Sequence, residues 1–310
     1  MGGRAPVKGE EPEPIESSER GNGVEAAVRL HRTGETERPR RRVLLLHGLS
    51  NSAAVWNAVS RGWPEDTEVW AADLPWRGGF DATWSLTGDS SRWLRTAMGL
   101  VPGGLDLVVA HSLSASLLLD ALGNGSLDPA EYAASGPGDV EPCRRRPPGT
   151  LFVSPFYRPD PGDFEWESIA TSLHDFERTI RDGIRLHAGG RLSDEKSEEL
   201  GRLMCRKIGP YGWLSFFNLY LNTPWLLTER ITSPCRVLVG DSDAAAPPEE
   251  GFRLAENLPD ASARSLSDCG HFPMIEAPEE FVAVASRFLA ELDDTGAPRA
   301  VPETLNEVSA

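Results

Sequence analysis

Short apolar runs alternate along the chain with stretches whose apolar positions recur every three or four residues. The runs "RRVLLLHG" (41–48), "TEVWAADLP" (67–75), "LDLVVAHS" (105–112), "GTLFVSPF" (149–156), "PCRVLVGDSD" (234–243) and "ASARSLSDCG" (261–270) read as strands. Between them, "SAAVWNAVSRGW" (52–63), "GDSSRWLRTAMGLV" (88–101), "LSASLLLDAL" (113–122), "PEEGFRLAENL" (248–258) and "APEEFVAVASRFLAEL" (277–292) read as helices. An edge strand is expected in "EAAVRLHRTG" (25–34). Apolar strands alternating with helices predict an α/β fold, with a mostly parallel central sheet flanked by helices.

Two segments interrupt the alternation. Residues 123–148, rich in turn formers, predict a surface loop. Residues 156–232 carry helical patterns without strand alternation, such as "FEWESIATSLHDFERTIRDGIRL" and "YGWLSFFNLYLNTPWLL". They predict a helical insertion between two sheet strands, dividing a core of 23–155 and 233–293. Residues 1–22 and 294–310 are acidic and contain proline, and they predict disordered, solvated tails.

Composition narrows the partners. The 310 residues carry a formal net charge of -16, which disfavours nucleic acid and anionic membranes because phosphates would be repelled. The first residues lack the apolar region of a secretory signal, and no uncharged run approaches the ~18 residues of a membrane span. Cys143, Cys205, Cys235 and Cys269 show no C-x-x-C spacing, so neither a zinc site nor a disulfide framework is expected. A cytoplasmic protein is the resulting expectation. No metal or cofactor is expected either, since no metal-ligand spacing, phosphate-binding loop or dinucleotide fingerprint occurs.

The chemistry gathers where strands end. In "LDLVVAHSLSASLLLDAL", Ser112 lies between an apolar strand and an apolar helix. Two readings are open: a helix cap, or a serine held out by a sharp turn. The turn reading needs small residues two before and two after the serine, and Ala110 and Ser114 stand there. Upstream, "LLLHGLSNS" ends a strand in His47-Gly48; downstream, Asp241 and Asp243 end another, and His271 follows the last. All fall at the carboxyl ends of strands, where open α/β sheets bind ligands.

The order Ser112, Asp243, His271, with "AHSLS" as a variant of G-x-S-x-G, resembles the α/β-hydrolase fold superfamily over about residues 24–293. "ADLPWRGGF" resembles that family's D-x-P-G-x-G, with Trp76 in place of the first glycine. The spacing G-x-x-D from Gly240 favours Asp243 over Asp241. The resemblance implies that the insertion is a cap. It implies that Ser112 attacks an acyl carbonyl, that His271 acts as base and then acid, and that Asp243 orients the imidazole. The Leu49 and Leu113 amides would hold the oxyanion. Relatives that dehalogenate or open epoxides use aspartate where Ser112 stands, which removes those reactions.

The aromatic stripe Trp213, Phe216, Phe217, Tyr220 and Trp225 is expected to be cap core that turns part of its surface inward, with Trp213 and Phe217 lining the substrate pocket. Trp56, Trp76 and Trp84 are expected at the same mouth, and His47 and His111 beside it. Asp73 is expected to shape its loop, while His31, His174 and His187 have no supporting context. The implied partner is a small-molecule acyl substrate, apolar or polyketide-like, free or linked to coenzyme A or a carrier protein. The resemblance leaves three uses of the fold open: ester or thioester hydrolysis, acyl transfer or acyl elimination as in tetronate maturation, and binding without turnover.

Overall fold

The apolar runs assemble into one eight-stranded sheet in the computed structural model, which describes residues 15–16, 28–34, 36, 39–77, 82–86, 88–133, 147–188 and 192–294. In chain order the strands are β1 (Ile15–Glu16), β2 (Arg29–Gly34), β3 (Arg41–Leu46), β4 (Thr67–Asp73), β5 (Leu107–His111), β6 (Gly149–Val153), β7 (Cys235–Gly240) and β8 (Ala261–Leu266). Their spatial order is β1-β2-β4-β3-β5-β6-β7-β8. Only the pairings that involve β2 are antiparallel; from β4 through β8 the sheet is parallel. β1 lies within the stretch read as a tail and pairs Ile15 with Leu30. The rest of residues 1–22, and residues 295–310, lie outside the described residues.

The central strands are mostly apolar, without alternation, because both faces are covered. Leu45, Val109 and Leu151 are in register and face a core that contains Trp56, Phe281 and Phe288. Leu44, Leu46, Val108 and Phe152 face the opposite core, with Leu94, Leu118 and Leu254. The flanking helices are α1 (Ser91–Gly99), α2 (Leu113–Gly123), α5 (Pro248–Asn257), the short α6 (Pro273–Glu276) and α7 (Pro278–Asp294). The segment expected as a helix at 52–63 forms a 3-10 turn over Ala53–Val59 instead. Ser52 caps it through the Ala54 amide, and Ser60 closes it by donating its amide to the Asn57 carbonyl.

Between β6 and β7 lie α3 (Trp166–Ala188) and α4 (Asp194–Leu221), packed against each other. α4 is broken at Gly209, whose φ of 65 and ψ of 177 are non-helical, and Pro210 follows it without an amide hydrogen to donate. Of the loop expected at 123–148, residues 124–133 form turns, including a 3-10 turn at Pro129–Tyr132, and 134–146 fall outside the described residues. No helix among the described residues is long and apolar enough to cross a membrane.

Candidate active site

Ser112 sits where β5 hands over to α2. Its φ of 53 and ψ of -118 place a non-glycine residue in a strained conformation costing on the order of 1–3 kcal/mol. The Ser112 amide still continues the sheet, donating to the Val153 carbonyl at 3.0 Å, while the next residue is already helical. The hydroxyl makes no cap hydrogen bond. It lies 3.1 Å from Nε2 of His271. Between the two readings of Ser112, the geometry is that of a serine held out by a turn.

His271 is reached through two close backbone approaches. A Cβ on Gly240 would fall 2.2 Å from the Cys269 carbonyl oxygen and 2.3 Å from that of Gly270, so only glycine lets the end of β7 touch the His271 loop. Glu276, at the end of α6, accepts from the Gly270 and Phe272 amides at 2.9 Å each and so brackets His271 on both sides. The ring Nδ1 meets Asp243 Oδ2 at 2.8 Å. An ionised carboxylate only accepts, so Nδ1 carries the hydrogen and Nε2 presents its lone pair to the Ser112 hydroxyl.

Asp243 is 4% exposed, and its other oxygen accepts from the Ala245 and Ala246 amides at 2.9 Å each. Burial, the largest influence, would raise its pKa. The charge and hydrogen bond of His271, together with the two amides, outweigh burial and hold it below the usual carboxylate value. Asp241 is exposed and bonds to the Cys269 amide and the Ser242 hydroxyl, away from the imidazole.

The two other histidines at the site are buried and neutral. Burial pushes His47 down to about 4; burial and the neighbouring His271 push His111 down to about 3. His111 Nε2 faces the His271 carbonyl at 2.9 Å and must therefore carry the hydrogen, leaving Nδ1 a buried acceptor without a partner among the described residues. His47 Nε2 accepts from the Leu74 amide at 2.9 Å, and its Nδ1 donates to the Gly48 carbonyl at 2.8 Å. Gly48 packs so tightly that an added Cβ would lie 2.9 Å from His111 Nδ1 and 3.0 Å from the Ser112 Cβ. No hydrogen bond among the described residues engages the Leu49 or Leu113 amide.

Above Ser112 opens a cavity of about 950 Å³. Ser112, His111, His271 and Leu49 line it from the sheet side; Ile180 and Ile184 of α3, and Met204, Phe216 and Tyr220 of α4, line it from the insertion. Five aromatics expected at this cavity, Trp56, Trp76, Trp84, Trp213 and Phe217, do not line it, and Trp84 is buried in the core against Trp76. Trp213 stacks on Phe217 at 4.7 Å and 11°, and neither lines this cavity, because residues four apart share one helix face and the cavity takes the adjacent face of Phe216 and Tyr220. Trp76 is 2% exposed and also does not line it, since its indole is spent on the His47 carbonyl and packs edge-on against His47 and Trp84. Trp56 is buried in the opposite core, and Trp225 is 66% exposed. His47 lies behind Gly48 and is absent from the lining, whereas His111 belongs to it.

Sequence reading overlooked two acidic residues. Glu276 is one. The other is Glu250 of α5, buried, which receives Arg158 Nε at 2.8 Å, the Tyr157 amide at 3.0 Å and the Tyr220 hydroxyl, tying the insertion to the core. Asp73 accepts from the Ala53 amide and pairs with His31 and Arg77, which fixes its loop. The side chains of His174 and His187 lie outside the described residues. Among the described residues, no group of three or more His, Cys, Asp or Glu side chains is placed to hold a metal ion.

The comparisons with known proteins bear on the family and the fold. A model of the Alpha/beta hydrolase family matches residues 43–284. Pimeloyl-(acyl-carrier protein) methyl ester esterase of Aromatoleum aromaticum is 26% identical over 255 residues, covering 77% of this chain and 94% of the relative. Among solved structures, Lip1 of Acinetobacter baumannii AYE matches with a TM-score of 0.63 at 20% identity, over 91% of this chain and 92% of that one. Carboxylesterase CesB of Bacillus subtilis matches with a TM-score of 0.57 at 16% identity, over 91% and 93%. The solved structures carry the fold, and the family model runs from β3 into α7: the chain belongs to the alpha/beta hydrolase family.

Proposed function

We propose that this protein is a serine esterase that hydrolyses an ester or thioester of an apolar acyl group through an acyl-enzyme. One observation carries the reading: the row Ser112–His271–Asp243, with spacings of 3.1 and 2.8 Å, at the floor of a mostly apolar cavity whose rim includes Arg158, Glu165, Glu167 and Lys207. The similarity to a methyl ester esterase and a carboxylesterase supports it.

In this mechanism Ser112 Oγ forms a bond to the acyl carbon as its proton passes to His271 Nε2. The Leu49 and Leu113 amides receive the oxyanion; Leu113 opens α2, so its amide has no intrahelical acceptor and the positive end of the helix dipole adds to it. Collapse breaks the bond to the leaving alcohol or thiol, which takes the proton from His271. Water then repeats the sequence on the acyl-enzyme, releasing the acid. Asp243 keeps Nδ1 protonated throughout and stabilises the imidazolium. The insertion acts as a cap whose Ile180, Ile184, Met204 and Phe216 receive the acyl chain.

The test is labelling with a fluorophosphonate read by intact mass, beside turnover of p-nitrophenyl esters. One adduct on the wild type, absent from Ser112→Ala, together with ester turnover abolished in that variant, is the expected result. Well-folded wild type that neither labels nor turns over any ester overturns the acyl-enzyme and leaves acyl elimination or ligand binding to explain the site.

A further inference from the structure

Leu49, whose amide the acyl-enzyme reading uses, lies in a short loop tied at both ends to one residue. The Trp76 indole donates to the carbonyl of His47 at 3.0 Å, and the Trp76 carbonyl accepts from the amide of Ser50 at 2.8 Å. The two ties bracket Gly48 and Leu49. The loop needs such ties, because Ser50 adopts φ +66, a left-handed backbone that few non-glycine residues choose. It also has no room to drift, since Gly48 sits against the Ser112 Cβ. Trp76 is a firm post: it is buried and wedged edge-on between the rings of His47 and Trp84, and Trp84 in turn packs near Gly212 of α4. The glycine of the pattern D-x-P-G-x-G would offer the carbonyl tie and nothing for His47. Ser114, which stands in the second glycine position of G-x-S-x-G, also donates its hydroxyl to the His47 carbonyl. Two of the three departures from the family's glycines, Trp76 and Ser114 but not Ala110, therefore meet on one oxygen.

We propose that Trp76 is a positioning residue: its indole and carbonyl hold the His47–Ser50 loop so that the Leu49 amide faces the developing oxyanion. The inference rests on the acyl-enzyme reading. A preorganised donor matters in the transition state more than in the ground state, so the effect belongs in kcat. Ser114 retains part of the hold on His47, so the loss is smaller than the roughly 10²–10³-fold of deleting an oxyanion donor.

The experiment uses the full chain and Trp76→Phe, which keeps the ring and the carbonyl tie and removes the N–H. With active sites counted by fluorophosphonate titration, kcat for p-nitrophenyl butyrate is expected to fall about tenfold with KM within about twofold, given that a tie to a donor is lost and not the donor. Affinity for an alkyl boronic acid, which forms a tetrahedral adduct on the serine, should fall by the same factor. Trp76→Phe combined with Ser114→Ala should fall further. An unchanged kcat per titrated site, even with a lowered Tm, overturns the role. If Trp76→Phe does not fold, replacing Trp76 by benzothienylalanine, which exchanges the N–H for sulfur in the same shape, gives the same two readings. A wild type that neither labels nor turns over removes the acyl-enzyme reading and this inference together, whereas an active wild type with an indifferent Trp76 variant removes only the latter.

Discussion

His111 and His271 are joined through a ring nitrogen and a backbone carbonyl, 2.9 Å apart, so the residue preceding Ser112 carries the main chain of the imidazole that faces Ser112. Glu276 holds the same loop from the other side through the Gly270 and Phe272 amides. Replacing His111 by leucine leaves the His271 carbonyl without this donor, a loss of about 1–3 kcal/mol in a buried setting. We expect a lower urea midpoint and a kcat reduced at least about tenfold, since the Ser112–His271 distance then depends on a looser loop. Glu276→Leu should show the same pairing of effects. Steady-state kinetics beside urea denaturation checks both, and wild-type kcat in a destabilised His111 variant would sever the link.

Stability should fall with acid earlier than ordinary carboxylates would dictate. His47 and His111 have folded pKa values of about 4 and about 3, below the ordinary value of 6.5. Between 6.5 and those values the unfolded chain takes up protons that the folded protein refuses, so stability is fully present above pH 6.5 and is lost as the pH drops. The slope is about 1.4 kcal/mol per pH unit for each histidine. Asp243, held below the usual carboxylate value, adds stability that is present above its unfolded pKa and lost only as pH falls toward its folded one. Urea midpoints at pH 7.5, 6 and 5 should decline steadily, and a flat profile would mean that the histidines are charged or exposed.

Ser112 pays for its position in backbone strain. Ser112→Gly should abolish ester turnover, as Ser112→Ala does, yet be more stable than the alanine variant by about 1 kcal/mol, because glycine accepts φ +53 without a clashing Cβ. Chemical denaturation of the two inactive variants side by side gives the comparison, and equal stabilities would mean that the turn relaxes around any residue.

The ion pair of buried Glu250 with half-buried Arg158 fastens the insertion where it leaves β6. Glu250→Ala leaves the Arg158 guanidinium without its carboxylate, although still on the Asp163 carbonyl, and removes the acceptor of the Tyr157 amide and the Tyr220 hydroxyl. Breaking a fully buried pair costs about 3–5 kcal/mol, and this half-buried one should cost less. Limited proteolysis should then cut first within the insertion. The double variant Glu250→Leu with Arg158→Met should recover part of the loss, because it leaves no charge unpaired. A Glu250→Ala protein as stable as the wild type would show that this pair does not anchor the insertion.

What the sequence makes legible follows from which signals are local. Apolar runs bounded by turn residues mark the strands because strands covered on both faces leave no alternation to decode. Ser112, Asp243 and His271 stand out because each closes such a run. Aromatic facing is not local in this sense. The four-residue spacing groups Trp213 with Phe217 and Phe216 with Tyr220, but which pair meets the cavity depends on how α4 lies after its break at Gly209 and Pro210. Glu250 looks like an ordinary acid in a first helical turn, since its partner Arg158 is 92 residues away. Trp76 reads as a departure from a glycine pattern until the His47 carbonyl is placed beside it.

The size of the cavity predicts a dependence on acyl length. About 950 Å³ lined by Ile180, Ile184, Met204 and Phe216 is room for far more than an acetyl group, and burying each further methylene is worth about 0.8 kcal/mol. Wild-type kcat/KM for p-nitrophenyl esters should therefore climb from acetate through octanoate, by up to about fourfold per methylene where contact is complete. Met204→Trp adds bulk to the wall without touching Ser112, His271 or the Leu49 loop. It should leave acetate turnover within about twofold and cut octanoate turnover about tenfold or more, an overpacking cost of about 1–3 kcal/mol applied to the long chain alone. A profile flat in chain length, or a Met204→Trp loss equal for acetate and octanoate, would show that the acyl chain lies elsewhere.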